Sequence, residues 1–234
     1  MSLLAGPEAP TEEAPPVQGG ALRTVLMAIV AVAALVVAGG AGYVLGHRHS
    51  AARLPGAKSV DAGFAWDMAA HHRQAVLMAG YTRDHTTDGV IRTLAFDIET
   101  SQFNQAGQMQ GWLDTWGLPP ESPNAPMSWM AGSGHDMMGS DMMGRDGLMP
   151  GMATQAQLAK LDTLTGKPLD IFFLQLMLHH HQGGAPMTQW AATHASTAYV
   201  RNAAKKMADS QGAEIVLMEQ LLRERGASPL PPPM

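Results

Sequence analysis

The 234-residue sequence contains no cysteine. That excludes disulfide scaffolds, zinc fingers, thiolate metal sites and thiol catalysis. Charge is scarce as well: Asp, Glu, Lys and Arg together make up 15% of the chain, against roughly 25% in soluble domains. With 46% hydrophobic residues the chain as a whole is not intrinsically disordered, because disorder needs high charge and little to bury. A formal net charge of -5 leaves no cationic footprint, so nucleic acid is not an expected partner. Catalytic signatures are missing too. There is no G-x-S-x-G, no Walker loop and no H-E-x-x-H. Glu-x-x-His, which a ferritin-type di-iron site needs on two helices, does not occur. The chain is therefore not read as an enzyme. What it has instead is 18 methionines and 10 histidines. Thioethers and imidazoles in a thiol-free chain suit soft and borderline metals.

Residues 1–23 open with a Pro-, Gly- and Glu-rich stretch and read as a disordered tail. Residues 24–46 carry no charge. At ~1.5 Å per residue they make about 34 Å of helix, enough to cross a hydrocarbon core of about 30 Å. This segment is expected to contact the membrane as a signal anchor. Ala38-Gly39-Gly40-Ala41 offers a signal-peptidase alternative, but the apolar run exceeds the ~7–15 residues usual for a signal peptide. Arg23 precedes the run, and Arg48, Arg53 and Lys58 follow it. A plain positive-inside count would keep the C-terminal part in the cytoplasm.

A linker is expected at 47–60, a helical domain at 61–226 and a Pro-rich tail at 227–234. Within the domain, apolar spacing predicts helices at about 61–86, 89–116, 168–195 and 197–225, with a short one at 154–164. Gly117 before Pro119-Pro120, and Gly226 before Pro229, are helix stop signals. A Gly-, Pro- and Met-rich insert, 118–152, separates the two helical pairs.

The pairs are copies. Shifted by 109, residues 61–117 align with 170–226 without a gap, and about a quarter of the positions are identical. Asp61 falls on Asp170, Phe64 on Phe173, Met68 on Met177, His71-His72 on His180-His181, Met78 on Met187 and His85 on His194. Arg92 falls on Arg201, Ser101-Gln102 on Ser210-Gln211 and Met109 on Met218. Phe64, Met68, His71, Met78 and His85 lie on one stripe of a helix, and the second copy repeats the stripe. Two hairpins that each lack half a core are best completed by packing together, which predicts an all-α four-helix bundle preceded by one transmembrane helix.

The motif D-A-G-F-A-W-D-M-A-A-H-H-R-Q-A-V-L-M-A, its second copy D-I-F-F-L-Q-L-M-L-H-H-H-Q-G-G-A-P-M, the Q-x-x-E-I-x-x-M at Gln211, Glu214, Ile215 and Met218, and M-P-G-M at 149–152 together resemble the bacterial domain-of-unknown-function family 305. Gln105 stands where the first copy would carry the glutamate, a departure from the motif. The resemblance spans nearly all of 61–226. It implies a ferritin-like bundle, secreted or membrane-anchored and hence extracytoplasmic despite the charge count, with some copper-binding relatives.

Imidazole plus thioether suits Cu(I) and Cu(II) and does not suit Mg²⁺ or Ca²⁺. The expected metal ligands are His71, His72, Met68 and Met78 with His180, His181, Met177 and Met187, supported by Asp61, Asp170, Met109 and Met218. Methionines at this spacing also fill core gaps, but four buried imidazoles need partners. His179 is expected to face outward, and His85 and His194 to be solvated or capping. In the insert, His135, Met137, Met138, Met142 and Met143 form a second candidate site, flanked by Met127, Met130, Met149 and Met152. A Gly-rich loop has no periodic face to bury, so these thioethers are expected to be exposed and to bind loosely. The leading expectation is copper capture or buffering by a membrane-anchored extracytoplasmic protein. The alternatives are a structural or partner-binding bundle without metal, and a copper-dependent redox protein.

Overall fold

A computed structural model describes residues 19–50, 54–131 and 147–233, and the regular structure among them is all helical, with no strand. The chain divides into two units, Met1–Arg53 and Leu54–Met234. In the first, α1 runs from Gly19 to Ser50. It is longer at both ends than the uncharged run, so it takes in residues assigned above to the tail and the linker. Arg23–Tyr43 has a mean hydropathy of 2.5, none of it is buried, and it is long and apolar enough to cross a membrane.

The second unit holds α2 (Val60–His85), α3 (Gly89–Thr115), a 3-10 turn (Ser128–Met130), α4 (Gln155–Leu161), α5 (Gly166–His194) and α6 (Ala198–Glu224). α2 packs on α3, α5 on α6, and α2 on α5. The duplication is kept to the residue: shifting α3 by 109 gives the bounds of α6, and the end of α2 falls on the end of α5. Gly117 and Gly226 both take φ +68. Each lets the following amide, Leu118 or Ala227, return to a carbonyl five residues back, Leu113 or Leu222, the left-handed stop that glycine makes cheap. Arg92 and Arg201 likewise donate to the carbonyls of Thr86 and Ala195 at the preceding turns.

The two copies are braced crosswise. Asp61, at the start of α2, accepts from the amides and hydroxyls of Ser196 and Thr197, where α6 begins. Asp170, at the start of α5, accepts from the Thr86 hydroxyl, where α2 gives way to α3. Burial raises the Asp61 pKa, but the four hydrogen bonds more than offset this and hold it below the usual carboxylate value. At Asp170, with one such bond, burial prevails and the pKa is raised.

The described ends of the insert pack against the helices. Met127, Met130 and Met149 are buried in the same apolar cluster as Phe64 and Met68, which corrects the expectation of exposed flanking thioethers. The reason is a receptor on α2 that no periodicity announces. Trp129 fills the notch at Gly63, where a Cβ would lie 2.1 Å from its Cγ. Buried Asp67 accepts from the Trp129 indole and the Met127 amide, both at 2.7 Å. Met152 is half-buried. The tail is docked as well, with Gln175 donating to the carbonyl of Ser228 and Leu230 packing on the core.

Replacing Asp61 by Ala orphans the amides of Ser196 and Thr197 at the turn before α6, so it should cost about 2–3 kcal/mol. Asp170→Ala, which loses one hydroxyl partner, should cost less than half as much. Urea unfolding of both variants measures the ordering.

Candidate metal centre

Four imidazoles lie midway along the helices. His71 and His72 on α2, and His180 and His181 on α5, are each no more than 1% exposed. They are in place because α2 and α5 pack together where the repeated pairs meet: the His71 and His180 rings stack with centroids 3.7 Å apart at 33°. Two apolar clusters flank this layer. One holds Met68, Met109 and Met187, the other Met78, Met177 and Met218. The 109-residue shift exchanges the two sets. All six sulfur side chains sit among apolar neighbours, as packing methionines do, and Met68 and Met177 lie one helical turn before the histidines.

The hydrogen bonds fix the tautomers. His71 Nε2 donates to the carbonyl of Pro150 at 3.2 Å, and His180 Nε2 to the carbonyl of His71 at 3.1 Å. His72 Nε2 donates to the Gln105 amide oxygen at 2.7 Å, and His181 Nε2 to the Glu214 carboxylate at 2.6 Å. Each ring so held keeps its lone pair on Nδ1. The Nδ1 atoms of His71, His72 and His181 are buried without a hydrogen-bond partner, as are both amide atoms of Gln102 and the amide oxygen of Gln211. A Cβ on Gly184 would lie 3.4 Å from that Gln211 oxygen and 3.5 Å from His71 Nδ1, so both line the space left by this glycine. Among the described residues, no three His, Asp or Glu side chains converge on one point in a way that holds a metal ion.

Burial favours the neutral form of His71, His72 and His180. It pushes His71 down to about 4 and, helped by neighbouring His71, pushes His72 down to about 3. His180 lies well below its usual value for the same reasons, burial first. Neutral imidazole with its second nitrogen tied to an acceptor is the form in which histidine binds metals. The donor set therefore fits a soft or borderline ion in its chemistry.

The remaining candidates fall elsewhere. His135, Met137, Met138, Met142 and Met143 lie outside the described residues. Asp61 and Asp170 hold helix turns by the hydrogen bonds given above. His85 and His194 are exposed at helix ends, each near the carbonyl one turn back, and His179 is half-buried against the Pro231 carbonyl. Sequence reasoning missed the M-P-G-M strap as part of the layer. Gln74 pairs with the amide and carbonyl of Ala153 at 2.6 and 2.9 Å, and Gly183 admits the strap where a Cβ would lie 2.2 Å from the Pro150 oxygen. Gln102 was visible only as an identity in the repeat, and Gln211 also as the first residue of the Q-x-x-E-I-x-x-M motif.

The DUF305 family, described as a domain of unknown function, matches residues 61–222. The chain belongs to this family. A DUF305 protein from Streptomyces coelicolor, described as secreted, is 44% identical, with a TM-score of 0.67 over 75% of this chain and 99% of that one. A DUF305 fragment from Deinococcus radiodurans is 32% identical, with a TM-score of 0.56 over 70% and 96%. CopM in its Cu(I)-bound form is 20% identical, with a TM-score of 0.50 over 71% and 96%. Its Cu(II)-bound form gives 20% and 0.51 over 71% and 97%. At that identity the likeness to CopM extends to the fold alone. No curated protein matches the chain.

The lowered histidine pKa values set a pH dependence for this DUF305 domain. Below about 6.5 the unfolded chain takes up protons that the folded layer refuses, so stability is full above that pH and falls as pH drops toward 4. Asp67 and Asp170, raised mainly by burial, act in the opposite sense upward from about 3.8. The metal-free protein should lose roughly 5–15 °C of thermal midpoint between pH 7 and 5. A His71→Gln/His180→Gln variant should lose clearly less over the same interval. Differential scanning calorimetry at several pH values reads both.

Proposed function

We propose that this DUF305 protein is a membrane-anchored, extracytoplasmic metal-binding protein that captures or buffers copper. In this reading residues 24–46 span the membrane, and 61–226 form a ferritin-like four-helix bundle whose buried layer is the principal site. Its ligands are His71, His72, His180 and His181, assisted by Met68, Met78, Met177 and Met187. The observation that carries the reading is the set of buried, unpartnered Nδ1 lone pairs on rings whose Nε2–H groups are already satisfied. An unmet acceptor costs about 1–3 kcal/mol to bury, and a metal ion meets it. CopM, which shares the fold, has been captured with both copper oxidation states, and imidazole–thioether chemistry accommodates both. His135, Met137, Met138, Met142 and Met143 would add weaker, Cu(I)-selective capacity.

The absence of three converging His, Asp or Glu side chains among the described residues favours a second reading, in which the layer is an internal hydrogen-bond network. An anaerobic Cu(I) titration of the detergent-solubilised full chain separates the two. Changing all four layer histidines to Gln should cost at least about 100-fold in affinity for the tightest ion, while changing the four loop methionines to Leu should lower only the stoichiometry. If the histidine variant binds unchanged and merely unfolds earlier, the network reading wins. Loss of the tightest ion in the loop variant would move the site to the insert.

Topology has its own test. Protease added to intact cells should digest the helical domain, and full protection would place it in the cytoplasm.

A further inference from the structure

The two halves of the histidine layer are duplicates in position and not in charge. Gln105 and Glu214 occupy the same place in the repeat, 109 residues apart, and each takes the Nε2–H of the second histidine of its pair: His72 at 2.7 Å and His181 at 2.6 Å. The other two rings give their Nε2–H to backbone carbonyls. Of the four acceptors, Glu214 alone is an anion. Its carboxylate is 23% exposed, whereas the His181 ring is fully buried. The charge is thus kept partly hydrated and reaches the interior through a ring that is not.

We propose that Glu214 sets the oxidation-state preference of the layer, biasing it toward Cu(II) through His181, a bias that the neutral amide of Gln105 behind His72 does not supply. The inference rests on the copper reading above. Imidazole, thioether and carboxamide donors bring no charge, so a buried ion is compensated only by what stands behind them. Coulomb attraction to a carboxylate scales with the charge of the ion, so Cu(II) gains about twice what Cu(I) gains. A carboxylate accepting the far N–H also makes the imidazole a more basic donor, which is commonly worth 10–100-fold in metal affinity. Carboxamide in the same position orients the ring without either effect.

Glu214→Gln turns the second half into a copy of the first without changing its shape. With Cu(II) competed against nitrilotriacetate and Cu(I) against bicinchoninate, anaerobically, on the full chain in detergent, this variant should lose 10–100-fold in Cu(II) affinity. For Cu(I) it should lose only about 3–10-fold, as half the charge implies. Gln105→Glu should raise Cu(II) affinity or add a second Cu(II) equivalent, visible as a new signal in electron paramagnetic resonance. If Glu214→Gln fails to fold by circular dichroism, Gln105→Glu in the otherwise unchanged chain decides alone. Tight copper binding with an unchanged ratio of Cu(II) to Cu(I) affinity in the variants overturns this inference and leaves the copper reading standing. No binding of either ion by the unmodified protein overturns the copper reading, and this inference with it.

Discussion

Taking four imidazoles out of water is the constraint around which the helical domain is built. A buried ring has one N–H and one lone pair to satisfy, and an unmet group costs about as much as a hydrogen bond is worth. The domain answers the N–H half of this demand four times, with two carbonyls, one amide and one carboxylate. Apolar clusters above and below exclude the solvent that would otherwise answer the rest. The lone pairs on three Nδ1 atoms are what remains. In the copper reading proposed above, stability and binding would meet in the same atoms, because the groups that make the layer costly are those that would take the ion.

The architecture is a duplication with a few informed departures. Helix bounds, glycine stops, the arginine contacts at the turns and the crosswise aspartates all repeat. Where symmetry fails, something else is seated. His180 donates to the His71 carbonyl, but His71 does not return the bond. Its N–H goes to Pro150, which reaches it because Gly183 occupies the place that Gln74 has in the first copy. Gln74, freed from that position in space, grips the strap from α2.

Much of this was legible from residue order. The repeat placed all four layer histidines, paired the methionines that the two clusters share out, and put helix ends within a residue or two of where they lie. His85 shares the spacing of the stripe, but its place at a helix end leaves its ring exposed, as its position suggested. The flanks of the insert were misjudged because their burial follows no period. Met127, Met130 and Met149 are inside owing to a missing side chain at Gly63 and a lone carboxylate at Asp67, and neither leaves a trace in hydrophobic spacing. The same holds for the strap, whose contribution to the layer is a backbone oxygen that any residue supplies. Hydrophobic patterning finds surfaces that helices must bury. It is blind to the loops that come to bury them.

The strap closes one side of the layer with backbone alone. Residues 149–153 are fastened to α2 by three hydrogen bonds, from His71 and Gln74, and contain two glycine contacts so close that the backbone lies directly on α5. Lifting this segment breaks those bonds, takes Met149 and Ala153 out of their apolar clusters and frees the Nε2 of His71. Local opening of a short segment lies far below global unfolding in free energy. Among the described residues, the strap is where non-helical chain reaches the histidine layer directly.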